Sequence, residues 1–377
     1  LRNHQDTEFS PADFDAMARA IELARRGQWT TRPNPSVGCV LVGRDGAVLG
    51  EGFHRAAGLP HAEVEALTAA HSAGRDTWGA TAYVTLEPCN HHGRTGPCSE
   101  ALAAAGVRRV VVAMRDPHGR AAGGVERLRQ LGVRVEVGCL QREALLLNPA
   151  FITYHQLLRP LVTLKWAMTL DGCTSVASGD SKWITDEAAR HEVHRQRARH
   201  DAVLAGIETV LQDEARLNVR LPMGDPEPRF PLLRIVLDSK LRIPPEAPFL
   251  QRIPGTTALV VTTPEAPEPA AQALRAAGAE VLRVEPDHGR PAIPLLLREL
   301  HRRGVQSVYV EGGRKVSGAF LAAGVVDRVA TWIGPRIVGG GPRHLGPISH
   351  PTPLGAMAEA PTLHHVVSRP VGSAILI

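Results

Sequence analysis

The sequence predicts an α/β protein built as two successive domains. Three observations carry this. The chain has 377 residues, more than a single hydrophobic core usually organises. Apolar residues make up 44% of it, enough to fill two cores. Strand-like alternation and helical periodicity replace each other with short connections, over the first 140 residues and again from Leu161 onward.

In order, "FDAMARAIELARRG" sets Met17, Ala20, Ile21 and Ala24 on one helical face, with Gly27 as its stop. "VGCVLVG" and "GAVLGEG" read as a strand pair about an Asp45–Gly46 turn. "HAEVEALTAAHSAG" is helical, "ATAYVTL" a strand, and "CSEALAAAG" a helix ending at Gly106. "VRRVVVAM", "GGVERLRQLG" and "VRVEVG" add strand, helix, strand. "LQREALLLNPAFITYHQLLRP" reads as a helical bridge. The second series runs through "LVTLKWAMTLDG", the helix "DEAARHEVHRQRARH", the strands "DAVLAGI", "LRIVLDS" and "TALVVT", and "LLLRELHRRGVQSVYVEGG", a helix and strand ending in a glycine turn. "PMGDPEPRFP" and "PEAPEPA" are surface loops. The expected domains are residues 1–147 and 161–377, with 148–160 as the bridge.

Composition narrows the function. Five scattered cysteines in a long chain are not a disulfide framework, so a reducing, cytoplasmic setting is expected. No apolar run is long enough for a membrane span, and "LRNHQDTEFSPADFD" has no signal-peptide pattern. A net charge of +5 suits anionic ligands, while 4% aromatics leaves little to stack on bases. The expected partners are a phosphorylated small molecule and further copies of the chain, with neither nucleic acid nor membrane.

Chemistry concentrates in two short strings. "HAEVEAL" brings His61 and Glu63 to a helix start, and "TLEPCNHHGRTGPC" brings Cys89 and Cys98 to strand–helix junctions. One imidazole and two thiolates leave a fourth zinc position open, as in catalytic rather than structural sites. Zinc would supply hydroxide at neutral pH, and Glu63 would move protons between it and a leaving amine. The pattern resembles that of the zinc deaminases, though their cysteines are two residues apart and these have eight between them. His91 and His92 compete as ligands, and His71 reads as surface.

With "PNPSVGCVLV", "GEGFHRAAG" and "VVVAMRDPHGR", these strings resemble the deaminase half of the bifunctional riboflavin-biosynthesis deaminase–reductases, in which the eight-residue gap is normal. "LKWAMTLDG", "SGDSKWIT", "DAVLAGIETVLQDEARLNVR", "RIVLDS" and "VYVEGG" resemble the reductase half, in the same order. The resemblance implies a three-layer, cytidine-deaminase-like first domain and a dihydrofolate-reductase-like second one. It implies Zn2+ on His61, Cys89 and Cys98, and substrate contacts from Asn34, His54, His91 and Arg94. It implies NADPH contacts at Met168, Trp183, Thr209, Asp213, Ser239 and the turn Gly313, Arg314, Lys315, Val316, Ser317, Gly318, Ala319. Reductase substrate contacts fall on Ser181, Arg197, Leu217, Arg220 and Glu311, with Lys165 and Asp213 nearest the hydride transfer and Arg197 and Arg220 as phosphate clamps.

The second half has no Gly-x-Gly-x-x-Gly after a strand, so its cofactor site depends on "VEGGRKVSGAFLAAG", where a helix is expected near Ser317. Three departures from the family pattern stand out: Gly96 before "PC", Glu214–Ala215 in place of a proline-containing pair, and "LNPAF" in the bridge. Two other readings stay open, a nucleic-acid or tRNA base deaminase with an accessory domain, and a non-catalytic ligand sensor.

Overall fold

The computed structural model describes residues 9–91, 96–176, 183–225, 230–339 and 363–377. The chain divides into two compact units between Leu157 and Leu158.

In the first unit, α1 (Pro11–Arg25) opens on a capping box: the Ser10 hydroxyl accepts from the Asp13 N–H, and the Asp13 carboxylate accepts from the Ser10 N–H. Asp13 also accepts from the Tyr83 hydroxyl at 2.8 Å, tying the helix start to the sheet. There follow β1 (Gly38–Val42), β2 (Val48–Phe53), α2 (Ala62–Ser72), β3 (Thr81–Val84), α3 (Cys98–Ala104), β4 (Arg109–Val112), α4 (Gly124–Gln130), β5 (Arg134–Val137), α5 (Gln141–Leu147) and α6 (Pro149–Leu157). The sheet order is β2-β1-β3-β4-β5; β1 is antiparallel to both neighbours and β3, β4 and β5 are parallel.

Side-chain alternation makes three layers. Val40, Tyr83 and Val111 face Met17, Ala20, Ile21 and Ala24 of α1. Cys39, Leu41, Ala82, Val84, Val110 and Val112 face Ala62, Ala66 and Ala70 of α2, Leu102 of α3 and Leu128 of α4. The helices on this second face sit so close that glycine is required beneath them: a Cβ on Gly52 would lie 2.3 Å from the Ala62 carbonyl oxygen.

The segment read as a bridge is two helices broken at Asn148, and it belongs to the first unit. Leu147 and Phe151 pack into the same core as Met17. Asn148 accepts from the Ser36 N–H at 2.7 Å and donates to the Ser36 carbonyl at 2.8 Å. Apolar residues at helical spacing had a sheet face to cover, so the segment docked instead of spanning.

The second unit contains β6 (Leu161–Thr169), α7 (Glu187–Ala198), β7 (Ala202–Gly206), α8 (Ile207–Gln212), β8 (Leu232–Leu237), β9 (Thr256–Thr262), α9 (Glu268–Ala276), β10 (Glu280–Arg283), the small hairpin β11 (Pro286–Asp287) and β12 (Arg290–Pro291), α10 (Ile293–Arg302), β13 (Ser307–Val310), α11 (Arg314–Ala322), β14 (Arg328–Gly334), β15 (Arg369–Val371) and β16 (Ala374–Leu376). Its sheet runs β10-β9-β8-β7-β13-β6-β14-β16-β15, parallel from β10 to β14 and antiparallel at the last two pairings. Val203, Val236 and Val260 pack on one face with Leu274 of α9, and Leu204, Ile235 and Val261 on the other with Leu296, Leu300 and Phe320 of α10 and α11.

Helix α11 begins at Arg314, earlier than the expected Ser317, because Gly313 in extended conformation (φ −65, ψ 171) already serves as its N-cap. Asp171 is a turn anchor: its carboxylate accepts from the N–H groups of Val338 and Gly339 at 3.1 and 2.9 Å.

Candidate active sites

In the first unit a cavity of about 210 Å³ lies where the strand ends meet the starts of α2 and α3; its lining includes Asn34, His54, His61, Glu63, Cys89 and His91. His61 occupies the N-cap position of α2 and Cys98 opens α3. The ligand atoms of His61, Cys89 and Cys98 all lie within 4.8 Å of one another. The His61 Nδ1 is 3.3 Å from the Cys98 Sγ and 3.5 Å from the Cys89 Sγ. A tetrahedral zinc with ordinary Zn–N and Zn–S bonds needs N···S edges of about 3.5 Å, which both imidazole–sulfur distances match. Two sulfurs and one imidazole also match its softness. The Cys98 N–H points at the Cys89 Sγ at 3.4 Å, and the positive ends of two helices favour thiolate at the site.

Burial governs the carboxyl beside it. Glu63 is 3% exposed, and burial followed by the charge at Cys89 pushes its carboxyl up to about 7. A group in that range both takes and returns a proton at neutral pH. Cys89 is drawn down and Cys98 pushed up, each chiefly by the contact between the two sulfurs. Burial draws His54 below the ordinary histidine value. Its Nδ1 is 3.1 Å from the Pro60 carbonyl and so carries the proton, which leaves Nε2 to accept from the Asn34 amide at 3.1 Å. The Asn34 carboxamide is thereby held in one orientation at the cavity wall.

The second unit has a larger cleft, of about 620 Å³, at the carboxyl ends of β7 and β8 and the start of α11. Thr209, Ser239, Gly313, Arg314, Lys315, Val316 and Ala319 line it, joined by Lys240, Arg242 and Arg290. Backbone N–H groups at a helix start and several cations suit a phosphorylated dinucleotide, and the size accommodates one.

The sequence comparisons agree with both sites. Residues 11–114 match the cytidine and deoxycytidylate deaminase zinc-binding region, and residues 160–375 match the RibD C-terminal domain. The chain is 41% identical over 368 residues to the riboflavin biosynthesis protein RibD of Escherichia coli, covering 94% of this chain and 96% of that one. The chain belongs to the RibD family. Identity to the Aquifex aeolicus RibD is 41% over 330 residues, 87% of this chain and 88% of that one. Two solved structures superpose across 97% of both chains: a diaminohydroxyphosphoribosylaminopyrimidine deaminase/5-amino-6-(5-phosphoribosylamino)uracil reductase from Thermotoga maritima (36% identity, TM-score 0.80) and the Acinetobacter baumannii RibD (37%, TM-score 0.81). As a RibD-family member the chain is a bifunctional enzyme of riboflavin biosynthesis, a zinc-dependent deaminase and an NADPH-dependent reductase on a dihydrofolate-reductase-like unit.

Against this RibD frame, several expected residues fall elsewhere than at the clefts. Arg197, expected as a phosphate clamp, is half-buried and forks onto Glu311 through two nitrogens, so its charge is compensated within the protein. Lys165 joins the same carboxylate at 3.4 Å. Within the turn after β13, Ser317 and Gly318 face the protein interior and do not line the cleft; only their neighbours Gly313 to Val316 and Ala319 do. Leu217 packs its side chain into the core, with a positive φ of 51. Asp213 is the exposed C-cap of α8, and Met168 and Trp183 lie outside the cleft lining; the Trp183 ring is covered by Arg190 at 4.2 Å. His71 is exposed. Arg94, His92 and Ser181 lie outside the described residues.

Other residues at the RibD sites were not singled out in the sequence. Glu87 accepts from the N–H groups of Gly123 and Val125, both at 3.0 Å, and of Asp116 at 3.1 Å. It thereby caps α4 and anchors the Pro88–Cys89 turn. Gly124 lets the two pack, since a Cβ there would lie 1.7 Å from the Pro88 carbonyl oxygen. A Gly124→Ala variant is expected to lose about 1–3 kcal/mol of stability, read from urea unfolding, together with part of its bound zinc. Asp116 and His118 line the first cavity; burial raises the former to about 6 and lowers the latter. Both sit in "VVVAMRDPHGR", so the signal was present without an individual role.

Proposed function

We propose that the first unit hydrolytically deaminates 2,5-diamino-6-(5-phosphoribosylamino)pyrimidin-4(3H)-one, and that the second reduces the ribosyl group of the product with NADPH to give 5-amino-6-(5-phosphoribitylamino)uracil. The observation that carries the first step is the convergence of His61, Cys89 and Cys98 with buried Glu63 on one small cavity. His61, Cys89 and Cys98 hold the zinc, which when bound supplies a water acidic enough to attack near neutral pH. Glu63 accepts the proton of the attacking water and delivers it to the departing amine, so ammonia leaves and the ring gains a carbonyl oxygen with no net change at the carboxylate. Asn34, oriented by His54, reads the pyrimidinone edge; His91 lies along the same wall, and Arg94 is assigned to the phosphate. A cavity of about 210 Å³ favours a small substrate over a nucleic acid.

For the second step, the cleft lined by Thr209, Ser239 and Gly313 to Val316 holds NADPH, which supplies the hydride. Helix α11 presents its first N–H groups to a cofactor phosphate. Lys165, held by Glu311, stands as the proton-bearing group, and Arg220 takes the substrate phosphate. Five buried cysteines, none of them in a disulfide, favour a cytoplasmic setting. Among the described residues no helix is long and apolar enough to cross a membrane. Exposed Ile337, Val366 and Val367 favour self-association.

The test is metal analysis with separate assays of the two half-reactions. Wild-type protein is expected to carry one zinc per chain. Cys89→Ser should lose most of its zinc and slow deamination by more than about 10²-fold, because oxygen is a poorer zinc partner than thiolate. Normal deamination by a zinc-free variant would overturn the assignment.

A further inference from the structure

Arg220 differs from Arg195 and Arg197 of α7, which are both ion-paired. Arg197 and Lys165 use up Glu311, and Arg195 is paired with Asp225 at 2.6 Å. Among the described residues, no carboxylate lies within ion-pair distance of Arg220. Its neighbouring charges are Arg197 and Arg216, both of its own sign. What holds it is His194 of α7, 8% exposed. The Arg220 backbone N–H donates to the His194 Nδ1 at 3.2 Å, and the Arg220 Nη2 is 3.3 Å from the His194 Nε2.

The ring's protonation follows from geometry. A backbone N–H can only donate, so Nδ1 carries a lone pair and the ring is neutral with its proton on Nε2. That Nε2–H cannot accept from the guanidinium, and the ring's remaining bond is to the Asn218 backbone. The same loop is held from the other side, since the Asn218 carbonyl accepts from Arg197 at 2.8 Å and the Arg216 carbonyl from buried Arg234 at 3.0 Å. Among the described residues, the Arg220 guanidinium has one side-chain acceptor, Asn218 Oδ1 at 3.2 Å. It is an exposed cation whose backbone is anchored, with no carboxylate partner among the described residues and most of its donors unspent. An acid at position 194 would compensate that charge, and a second cation would repel it.

We propose that His194 is a positioning residue of the reductase site: a neutral ring that fixes the Arg220 backbone and leaves its guanidinium open for the phosphate of the substrate. This rests on the reading of Arg220 as the phosphate contact. Burial, with Arg197 and Arg220 nearby, draws His194 down to about 3, which keeps the ring neutral over the working range.

The experiment uses full-length protein and compares kcat and KM for 5-amino-6-(5-phosphoribosylamino)uracil and its dephosphorylated counterpart, with inorganic phosphate as a competitive inhibitor. His194→Leu should raise KM for the phosphorylated substrate about tenfold, weaken phosphate inhibition by a similar factor, and leave kcat and the dephosphorylated substrate unchanged. His194→Gln, which keeps an acceptor for the Arg220 N–H, should recover most of the loss. His194→Glu keeps that acceptor and adds a compensating charge, so it should fold and still lose the preference for phosphate. Equal losses on both substrates, or retained preference in His194→Glu, would overturn the proposal. Arg220→Met separates the two levels. If it abolishes the preference while His194→Leu and His194→Glu keep it, only the role of His194 fails. If Arg220→Met itself keeps the preference, the phosphate reading of Arg220 fails with it.

Discussion

Glu63→Gln is expected to slow deamination by at least about 10²–10⁴-fold while leaving zinc content and the reductase half-reaction unchanged. The amide preserves shape and volume but cannot take a proton from the attacking water or return one to the leaving amine. The effect should be large because one carboxylate serves both proton transfers. Glu63 is buried beside the metal donors and does not belong to the donor triad, so its loss leaves the ligands intact. The reductase cleft is lined entirely from the second unit, which is why its chemistry should be indifferent. Metal analysis and the two half-reactions assayed separately check this. Deamination at the wild-type rate would remove Glu63 from the mechanism, and loss of zinc would make it a structural residue.

Glu311→Gln should strongly destabilise the second unit. Its carboxylate compensates two largely buried cations, Arg197 and Lys165, whose side chains are 14% and 18% exposed. Removing the charge leaves both uncompensated, at a cost of about 3–5 kcal/mol, and lets the loop held through Arg197 and the Asn218 carbonyl drift, so reduction should fail as well. The pH dependence has a definite sign. Burial opposes ionisation of Glu311, but Arg197 and then Lys165 overcome it and hold the carboxyl at about 2, against an ordinary 4.5. A carboxyl depressed on folding stabilises above its unfolded value, and that contribution is lost as pH falls from about 4.5 through about 2. Urea unfolding of the second unit across that window should show the loss in wild type and a flatter profile in Glu311→Gln. Equal midpoints for the two proteins at neutral pH would mean the triad contributes nothing net.

The convergence of His61, Cys89 and Cys98 was legible in the sequence because it is set locally. His61 and Cys98 lie at helix starts and Cys89 follows a strand and a proline, so residue type, order and element boundaries together implied convergence. The three-layer arrangement was legible for a similar reason: alternation in β1, β3 and β4 and the apolar stripe of α1 each declare a face. What tertiary structure alone decided is how charges are shared. A string such as "HRQRARH" shows cations but not which of them are compensated. Arg197 meets Glu311 across 114 positions, and Arg220 meets His194 across 26. No periodicity encodes such pairings, and they separate two arginines that looked equivalent: Arg197 is ion-paired, whereas Arg220 has no carboxylate partner among the described residues. Burial direction is similar: Ser317 and Ala319 belong to one short motif, yet one faces the core and the other the cleft. The bridge followed the same rule, since its apolar face declared only that it would be covered, and the exposed flank of the first sheet decided by what. Periodicity and ligand chemistry are properties of neighbours along the chain, whereas charge compensation and solvent access are set by whatever the fold brings alongside.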